Sequence, residues 1–461
     1  MTRVLIVSSD RVGRRMAGPA VRCWGLAKAL SKTNDVLLAV PNKTDVKSSA
    51  FGLERYDDRS LGELAYQNEV LILQGKILAS CPFLAEADRF LVIDLYDPFP
   101  LEVLAQVWGE RGDLQELAFQ RNMAPLVKQL QVGDFFICAS EKQRDFWLGM
   151  LIALGRVNPL TYGSDESLRS LIDVVPFGVE DSPPTHSENV VKGVMKGIAP
   201  TDRLILWGGG IYDWFDPITL IRSMRMVVDT QPNARLLFMG MRHPNPEVVQ
   251  SRKAAAAIQL SKELKLYGSN VFFNHGWVPY DERQNYLLEA DIGVSFHLDN
   301  LETRLSFRTR ILDYIWAGLP IVATRGDLMA ELIERHDLGR TVAVQDVEGL
   351  VEALLELLSL PDLRQRYRSK FQKVARQFAW SRVIEPLANY CREPKRAADR
   401  QKGDISIATN ELWRTTDIAS LPYPRGSLLS KAWYSLRYEG PGLFLRRLKS
   451  YLRWVLSGRI Q

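Results

Sequence analysis

Arg308, Arg310 and Asp313 fall within one short stretch, "SFRTRILDYIWAGLPIVATRGD" (306–327), directly ahead of an apolar run. The preceding "ADIGVSFHL" (290–298) reads as a strand and "DNLETRLSF" as a loop, so Thr309 and Arg310 form the first turn of a helix. An arginine there adds its charge to the free N–H groups of the turn, which suits a diphosphate. A carboxylate one turn later, Asp313, would repel that anion unless its partner were a pair of hydroxyls, such as a ribose. Cation for phosphate and carboxylate for ribose together describe a sugar nucleotide. A second candidate is "WGGGIYDWFDP" (207–217), with Gly208, Gly209 and Gly210 behind a strand. Glycines there let backbone N–H groups approach an anion, and the start of the following helix adds positive charge. The loop has neither the Gly-Lys-Ser/Thr of a Walker loop nor a G-x-G-x-x-G.

In the first half, "RVGRRMAGPAVR" (11–22) sets Gly18 and Pro19 at the opening of a helix. "DLYDP" (94–98) ends a strand with Asp94 and Asp97, acids suited to bind sugar hydroxyls or assist an acceptor's proton. No D-x-D metal motif occurs in the chain, and neither metal nor cofactor is expected. His275 and His297 fall near these segments but read first as structural, as do Trp24, Trp316 and Trp380 in their amphipathic patterns.

The elements that must position these residues alternate along the chain. Short apolar strands at 3–9, 35–40, 69–74, 90–95, 134–140 and 172–179 are separated by amphipathic stretches such as 20–31. That alternation is α/β with a parallel sheet, whose ligands bind at the carboxyl ends of the strands. The polar "EDSPPTHSENV" (180–190) reads as a linker, after which strands restart at 203–210, 234–241, 270–278, 290–298, 319–324 and 340–344. The expected architecture is two Rossmann-like doubly wound domains facing a cleft. They span residues 1–179 and 180–395, with a linker at about 180–195 and a tail over 396–461.

A length of 461 residues suits two such cores. No run of 18 apolar residues is present and the N-terminus is too polar for a signal peptide. Four cysteines without C-x-x-C spacing argue against disulfides and zinc, so an intracellular protein is expected. From Arg425 onward eight Lys or Arg face one acid, Glu439, a charge of +7. The net charge of +5 therefore leaves −2 on the body, and the tail invites an anionic partner.

Three segments, in order, resemble the retaining, nucleotide-sugar-dependent glycosyltransferases of the GT-B fold. This is the large "group 1" type, similar to glycogen synthase and phosphatidylinositol mannosyltransferase. "VVPFGV" (174–179) resembles V-I-P-N-G-V; "VFFNHGWVPYDERQNYLLEADIGVS" (271–295) resembles F-x-G-x-V…L…Y…A-D-x-x-V. "SFRTRILDYIWAGLPIVAT" (306–324) resembles S-F-P-S-K-x-x-E-Y-x-A-x-G-x-P-V-V-A-T. The resemblance spans roughly residues 3 to 390 and implies a metal-independent transfer. Asp313 then takes the ribose, with Thr309 beside it, and Arg310 replaces a common lysine. Trp277 and Val278 hold the base, and Gly209 and Gly210 the diphosphate. Glu302 stands for the first glutamate of E-x7-E, whose strict position is Leu305. The family's Arg and Lys after the glycine turn are replaced by "GIYDWFD", leaving Arg310, Arg308 and Arg242 to meet the diphosphate. Arg310, Glu302 and Asp97 are the catalytic candidates, with Gly18, Pro19 and Asp94 on the acceptor side.

The expected partners are a nucleotide-sugar donor and a glycan or lipid-linked acceptor, not nucleic acid. An epimerase of the same fold and a non-catalytic binding subunit are the alternatives. In "GLFLRRLKSYLRWVLSG" (442–458), helical spacing lines Phe444, Leu448, Tyr451, Leu452 and Val455 on one face. Arg446, Lys449, Ser450 and Arg453 line the other, a pattern for an anionic membrane surface or for packing on the body. A cytoplasmic protein, peripheral on the membrane's inner face, is the corresponding expectation.

Overall fold

Apolar runs buried on both faces become parallel strands, and the computed structural model contains two such sheets. It describes residues 1–107, 112–248, 251–401, 432–433, 435–439 and 441–457. The first sheet holds β1 (Arg3–Val7), β2 (Asp35–Val40), β3 (Gly52–Arg55), β4 (Val70–Gln74), β5 (Phe90–Asp94), β6 (Phe135–Cys138) and β7 (Ile172–Val174). Their order is β3-β2-β1-β4-β5-β6-β7. The second holds β8 (Arg203–Trp207), β9 (Ala234–Phe238), β10 (Val271–Phe273), β11 (Ile292–Ser295), β12 (Ile321–Thr324) and β13 (Gly339–Val342). Here the order is β10-β9-β8-β11-β12-β13, so the expected pair of doubly wound α/β domains is present.

The chain divides into Met1–Pro176 with Val383–Gln461, and Phe177–Arg382. Two expected boundaries change. The second domain ends at Arg382 rather than 395, and the chain from Val383 onward belongs to the first unit instead of forming a separate tail. Charge pairing is the physical reason. Arg156 Nε donates to Asp399 Oδ2 at 2.6 Å with both side chains buried, and Arg396 and Arg400 both pair with buried Asp134. Tyr390, on the helix Glu385–Arg392, stacks on Phe135 of β6 with centroids 4.6 Å apart. The linker is likewise held, within the second unit: Glu289 accepts from the N–H groups of Val190, Val191 and Lys192, and Trp316 donates to the Ser182 carbonyl.

The basic tail forms a helix, Pro441–Ser457. Leu445, Leu448 and Leu452 are exposed at i, i+3, i+7, whereas Phe444 and Tyr451 are half-buried. The exposed apolar stripe is thus rotated from the expected face by the inclusion of Leu445. Residues 402–431 and 458, and the side chains of Arg453, Trp454 and Val455, lie outside those described.

Replacing Asp399 by Ala leaves Arg156 buried with only carbonyl partners. Losing one member of a buried pair costs about 3–5 kcal/mol. Urea unfolding of Asp399→Ala is expected to show a loss of that order, largely recovered in Arg156→Met/Asp399→Leu.

Candidate functional site

The glycine turn behind β8 is tied to the helix Thr309–Ala317 by one side chain. Tyr314, fully buried, accepts from the Gly208 N–H at 2.7 Å, and its hydroxyl lies 3.1 Å from the Leu206 carbonyl and 2.9 Å from that of Val294. Its ring lies against Gly293 of β11, where an added Cβ would fall 2.6 Å from the ring. Burial pushes the Tyr314 phenol up to about 12, so it stays neutral and serves as a fixed strut. Gly209 has φ +73°, a left-handed conformation that other residues adopt at a cost. The helix after the turn, Pro217–Thr230, does not supply the expected positive charge. Asp216 caps it, accepting from Thr219 N–H at 3.1 Å and Oγ1 at 2.6 Å.

The helix Thr309–Ala317, by contrast, starts at Arg308 with no side-chain cap. Thr309, half-buried, opens it. Arg310 folds back to the glycine turn, donating from Nη2 to the Gly210 carbonyl at 2.8 Å. Its guanidinium lies 4.6 Å from the Trp207 ring centre and 4.1 Å from that of Phe215. Nη1 is buried and has no hydrogen-bond partner, and no carboxylate pairs with Arg310 among the described residues. Burial, with Arg308 adding repulsion, brings its pKa down to about 10, so it remains charged at neutral pH. A buried, uncompensated cation beside a glycine turn and an uncapped helix start offers an anion both a counter-charge and free N–H donors.

Arg308 and Glu302 do not take their expected roles. The segment expected as loop contains a short helix, Leu301–Leu305, capped by Asn300. It carries Glu302 into the interior, where Arg308 grips both oxygens at 3.0 and 2.8 Å and Ser306 also donates. Asp327 lies 3.8 Å from Arg308 Nε and 3.3 Å from His297 Nε2. Arg308 is therefore neutralised and Glu302 is its counter-ion, neither one open to a substrate. His297, at the end of this cluster, is buried as expected of a structural histidine; exposed His275 meets only the Tyr267 hydroxyl, at 3.2 Å.

Asp313 keeps part of its side chain in solvent and accepts from Arg283 Nε at 3.1 Å through Oδ1. Trp277 lies against Gly210 and Gly240, with His243 at 5.6 Å between ring centres, and Val278 is buried behind it. Arg242, half-buried, has its N–H directed at the Gly276 carbonyl at 3.4 Å. Gly209, Gly210, Arg310, Trp277 and Arg242 therefore share the carboxyl end of the second sheet. Sequence spacing missed Tyr314, Phe215 and Arg283 there; only the apolar pattern could have marked the first two.

In the first unit the two strand-end acids are engaged. Asp94 is fully buried, bound by Arg22 Nε at 2.6 Å and Nη2 at 2.8 Å and by Gln74 at 3.2 Å, so it is a structural counter-ion rather than a hydroxyl ligand. Asp97 is half-buried and hydrogen-bonded by the Tyr96 hydroxyl. Gly18 and Pro19 open the helix Gly18–Leu30, whose N-cap Ala17 supplies no side-chain bond.

Residues 202–360 match the family model described as "Glycosyl transferases group 1". Among solved structures, the sucrose-phosphate synthase of Thermosynechococcus elongatus aligns with TM-score 0.61 and 15% identity, over 85% of this chain and 98% of that one. Anabaena HepE, in complex with UDP and glucose, gives 0.58 and 15%, over 84% and 99%. WaaG, a glycosyltransferase of lipopolysaccharide biosynthesis, gives 0.55 and 15%, over 84% and 99%. No curated protein matches by sequence. At these identities the solved structures speak for the fold, and the family match for the segment it covers: residues 202–360 are similar to group 1 glycosyltransferases, in a chain of GT-B fold.

Proposed function

We propose that this protein transfers a hexose or related sugar from a nucleoside-diphosphate sugar to a saccharide or lipid-linked acceptor, with retention and without a metal ion. The observation that carries the reading is Arg310, a buried cation with an unpartnered Nη1 at the glycine turn. As the sugar leaves, charge grows on the diphosphate. A fixed cation in a low-dielectric site, aided by the N–H groups of an uncapped helix start, stabilises that charge more than it stabilises the intact donor. Asp313, one helical turn on, takes the ribose, and Trp277 and Val278 flank the base. The likeness to the group 1 family supports retention. The complex of Anabaena HepE with UDP and glucose supports a nucleotide-sugar donor. WaaG's place in lipopolysaccharide biosynthesis supports a surface-glycan acceptor, and a trehalose-phosphate synthase in complex with glucose-6-phosphate a saccharide one. The exposed leucine stripe of the basic helix Pro441–Ser457 supports a cytoplasmic enzyme resting on an anionic membrane.

Incubation with labelled UDP-, GDP- and ADP-sugars is expected to give transfer, or slow hydrolysis when no acceptor is present. Isomerised donor would indicate an epimerase, and binding without turnover a binding subunit.

Arg310→Met removes a charge whose lowered pKa corresponds to on the order of 3 kcal/mol of folded-state penalty. The folded pKa lies below the unfolded one, so the penalty is complete at neutral pH and fades only as pH rises past about 10. The unliganded variant is expected to melt higher than wild type, while kcat falls more than KM rises. A lower melting temperature with unchanged turnover would remove Arg310 from the site.

Full-length protein is expected to co-sediment with vesicles containing anionic lipid and not with neutral ones. Leu445→Gln, Leu448→Gln and Leu452→Gln together should abolish this without altering donor turnover. Indifference of the wild type to both vesicles refutes the membrane position.

A further inference from the structure

We propose that Arg283 is a positioning residue for the donor: it holds Asp313 in the orientation that reads a ribose. The inference rests on the assignment of Asp313 to the ribose made above and extends it to a residue that no motif marks. Arg283 begins the helix Arg283–Glu289 and reaches Asp313 on the helix Thr309–Ala317. Each of its three nitrogens has one partner: Nε donates to Asp313 Oδ1 at 3.1 Å, Nη1 to the Tyr280 carbonyl at 2.8 Å, and Nη2 to the Tyr280 hydroxyl at 3.1 Å. The guanidinium also lies over two rings, 3.7 Å from the centre of Tyr280 and 4.7 Å from that of Trp316. Burial pushes the Tyr280 phenol up to about 12, so its hydroxyl stays neutral beside Nη2. Arg283 is thereby fixed in place and direction.

Its carboxylate partner is fixed on one side only. The Arg283 side chain is 9% exposed and that of Asp313 is 37% exposed. Asp313 Oδ2 has no protein partner among the described residues. A pair serving only to tie two helices gains nothing from a solvated second oxygen. A carboxylate that must meet hydroxyls needs both features: an anchor that selects its rotamer, and a free oxygen facing outward. The anchor removes rotational freedom before the ligand arrives, so less is lost on binding. Glu180 adds negative charge near Arg283, which its hydrogen bonds to Tyr280 and its contacts with the Tyr280 and Trp316 rings hold in place. The geometry selects ribonucleoside diphosphates over forms that lack the ribose hydroxyls.

The test compares UDP, GDP and ADP with their 2′,3′-dideoxy counterparts by calorimetry on full-length wild type, Arg283→Met and Arg283→Lys. Circular dichroism and thermal melts confirm folding of each. In the wild type, whichever diphosphate binds is expected to do so at least tenfold more tightly than its dideoxy form. In Arg283→Met that ratio should fall below threefold while dideoxy affinity changes less than twofold, with Arg283→Lys intermediate. In an Asp313→Ala background Arg283→Met should have no further effect. A merely structural role lowers both ligands together and leaves the ratio standing, which overturns the inference. Equal binding of both forms by the wild type overturns the ribose role of Asp313 and the inference with it. Failure of all three diphosphates to bind wild type overturns the donor reading itself. If both Arg283 variants misfold, Tyr280→Phe, which removes only the hydroxyl contact to Nη2, must narrow the ratio for the inference to stand.

Discussion

One uncompensated charge organises the second unit. Arg310 lies inside the protein with a backbone carbonyl and two aromatic faces for company, and no carboxylate answers it among the described residues. Holding a guanidinium that way is unfavourable, because rings and one carbonyl replace only part of its hydration. The arrangement makes sense for a site that awaits an anion, since the missing interaction is then supplied by the ligand. It also constrains the neighbours. Arg308, two residues earlier, adds repulsion of its own, which Glu302 and Asp327 limit by surrounding it. The pairing of Arg308 with Glu302 leaves Arg310 as the cation of the stretch without a carboxylate among the described residues.

The same helix turns this charge into a site through its periodicity. Arg310, Asp313 and Tyr314 stand at i, i+3 and i+4, so they project from neighbouring positions one turn apart. Tyr314 bonds to the glycine turn and touches both β8 and β11 through their carbonyls. That fixes the height of the helix against the sheet, and with it the distance between Arg310 and the glycine turn. Arg310 and Asp313 are then set by one rigid strut rather than by loop conformation. A rigid element holds such a constellation more closely than a loop does.

Local patterns in the sequence carried the strands, the helix at Thr309 and the glycine turn, because periodicity and turn chemistry act over a few residues. What they could not carry was partnership. Asp94 looks like a strand-end ligand until Arg22, 72 positions earlier, is found on it. Glu302 looks catalytic until the short helix Leu301–Leu305 turns it onto Arg308. Arg283 and Asp313 are 30 positions apart on different helices, so no spacing links them. The strand β3 was invisible for another reason: "GLER" is a four-residue, largely exposed edge with no apolar run. The boundary at 395 slipped because Arg156 and Asp399 attract across 243 positions.

Charge closure separates the two kinds of buried arginine in this chain. Arg22 and Arg156 each meet a buried carboxylate and at least one backbone carbonyl, so each has its charge answered and its value lies in holding segments together. Replacing such a pair with apolar residues is often neutral, which means that stability alone does not require it; removing one partner is costly. Arg310 has the opposite character: no counter-ion among the described residues and a pKa lowered by burial. Nothing in residue type or spacing tells the two apart: Arg22 and Arg310 both lie on helices, and Arg156 lies in a connection between two. The distinction arises only when the counter-charge of each guanidinium is accounted for. By that accounting Arg308, which the motif places beside Arg310, belongs with the structural arginines, and Arg310 alone of that stretch's buried arginines lacks a carboxylate among the described residues.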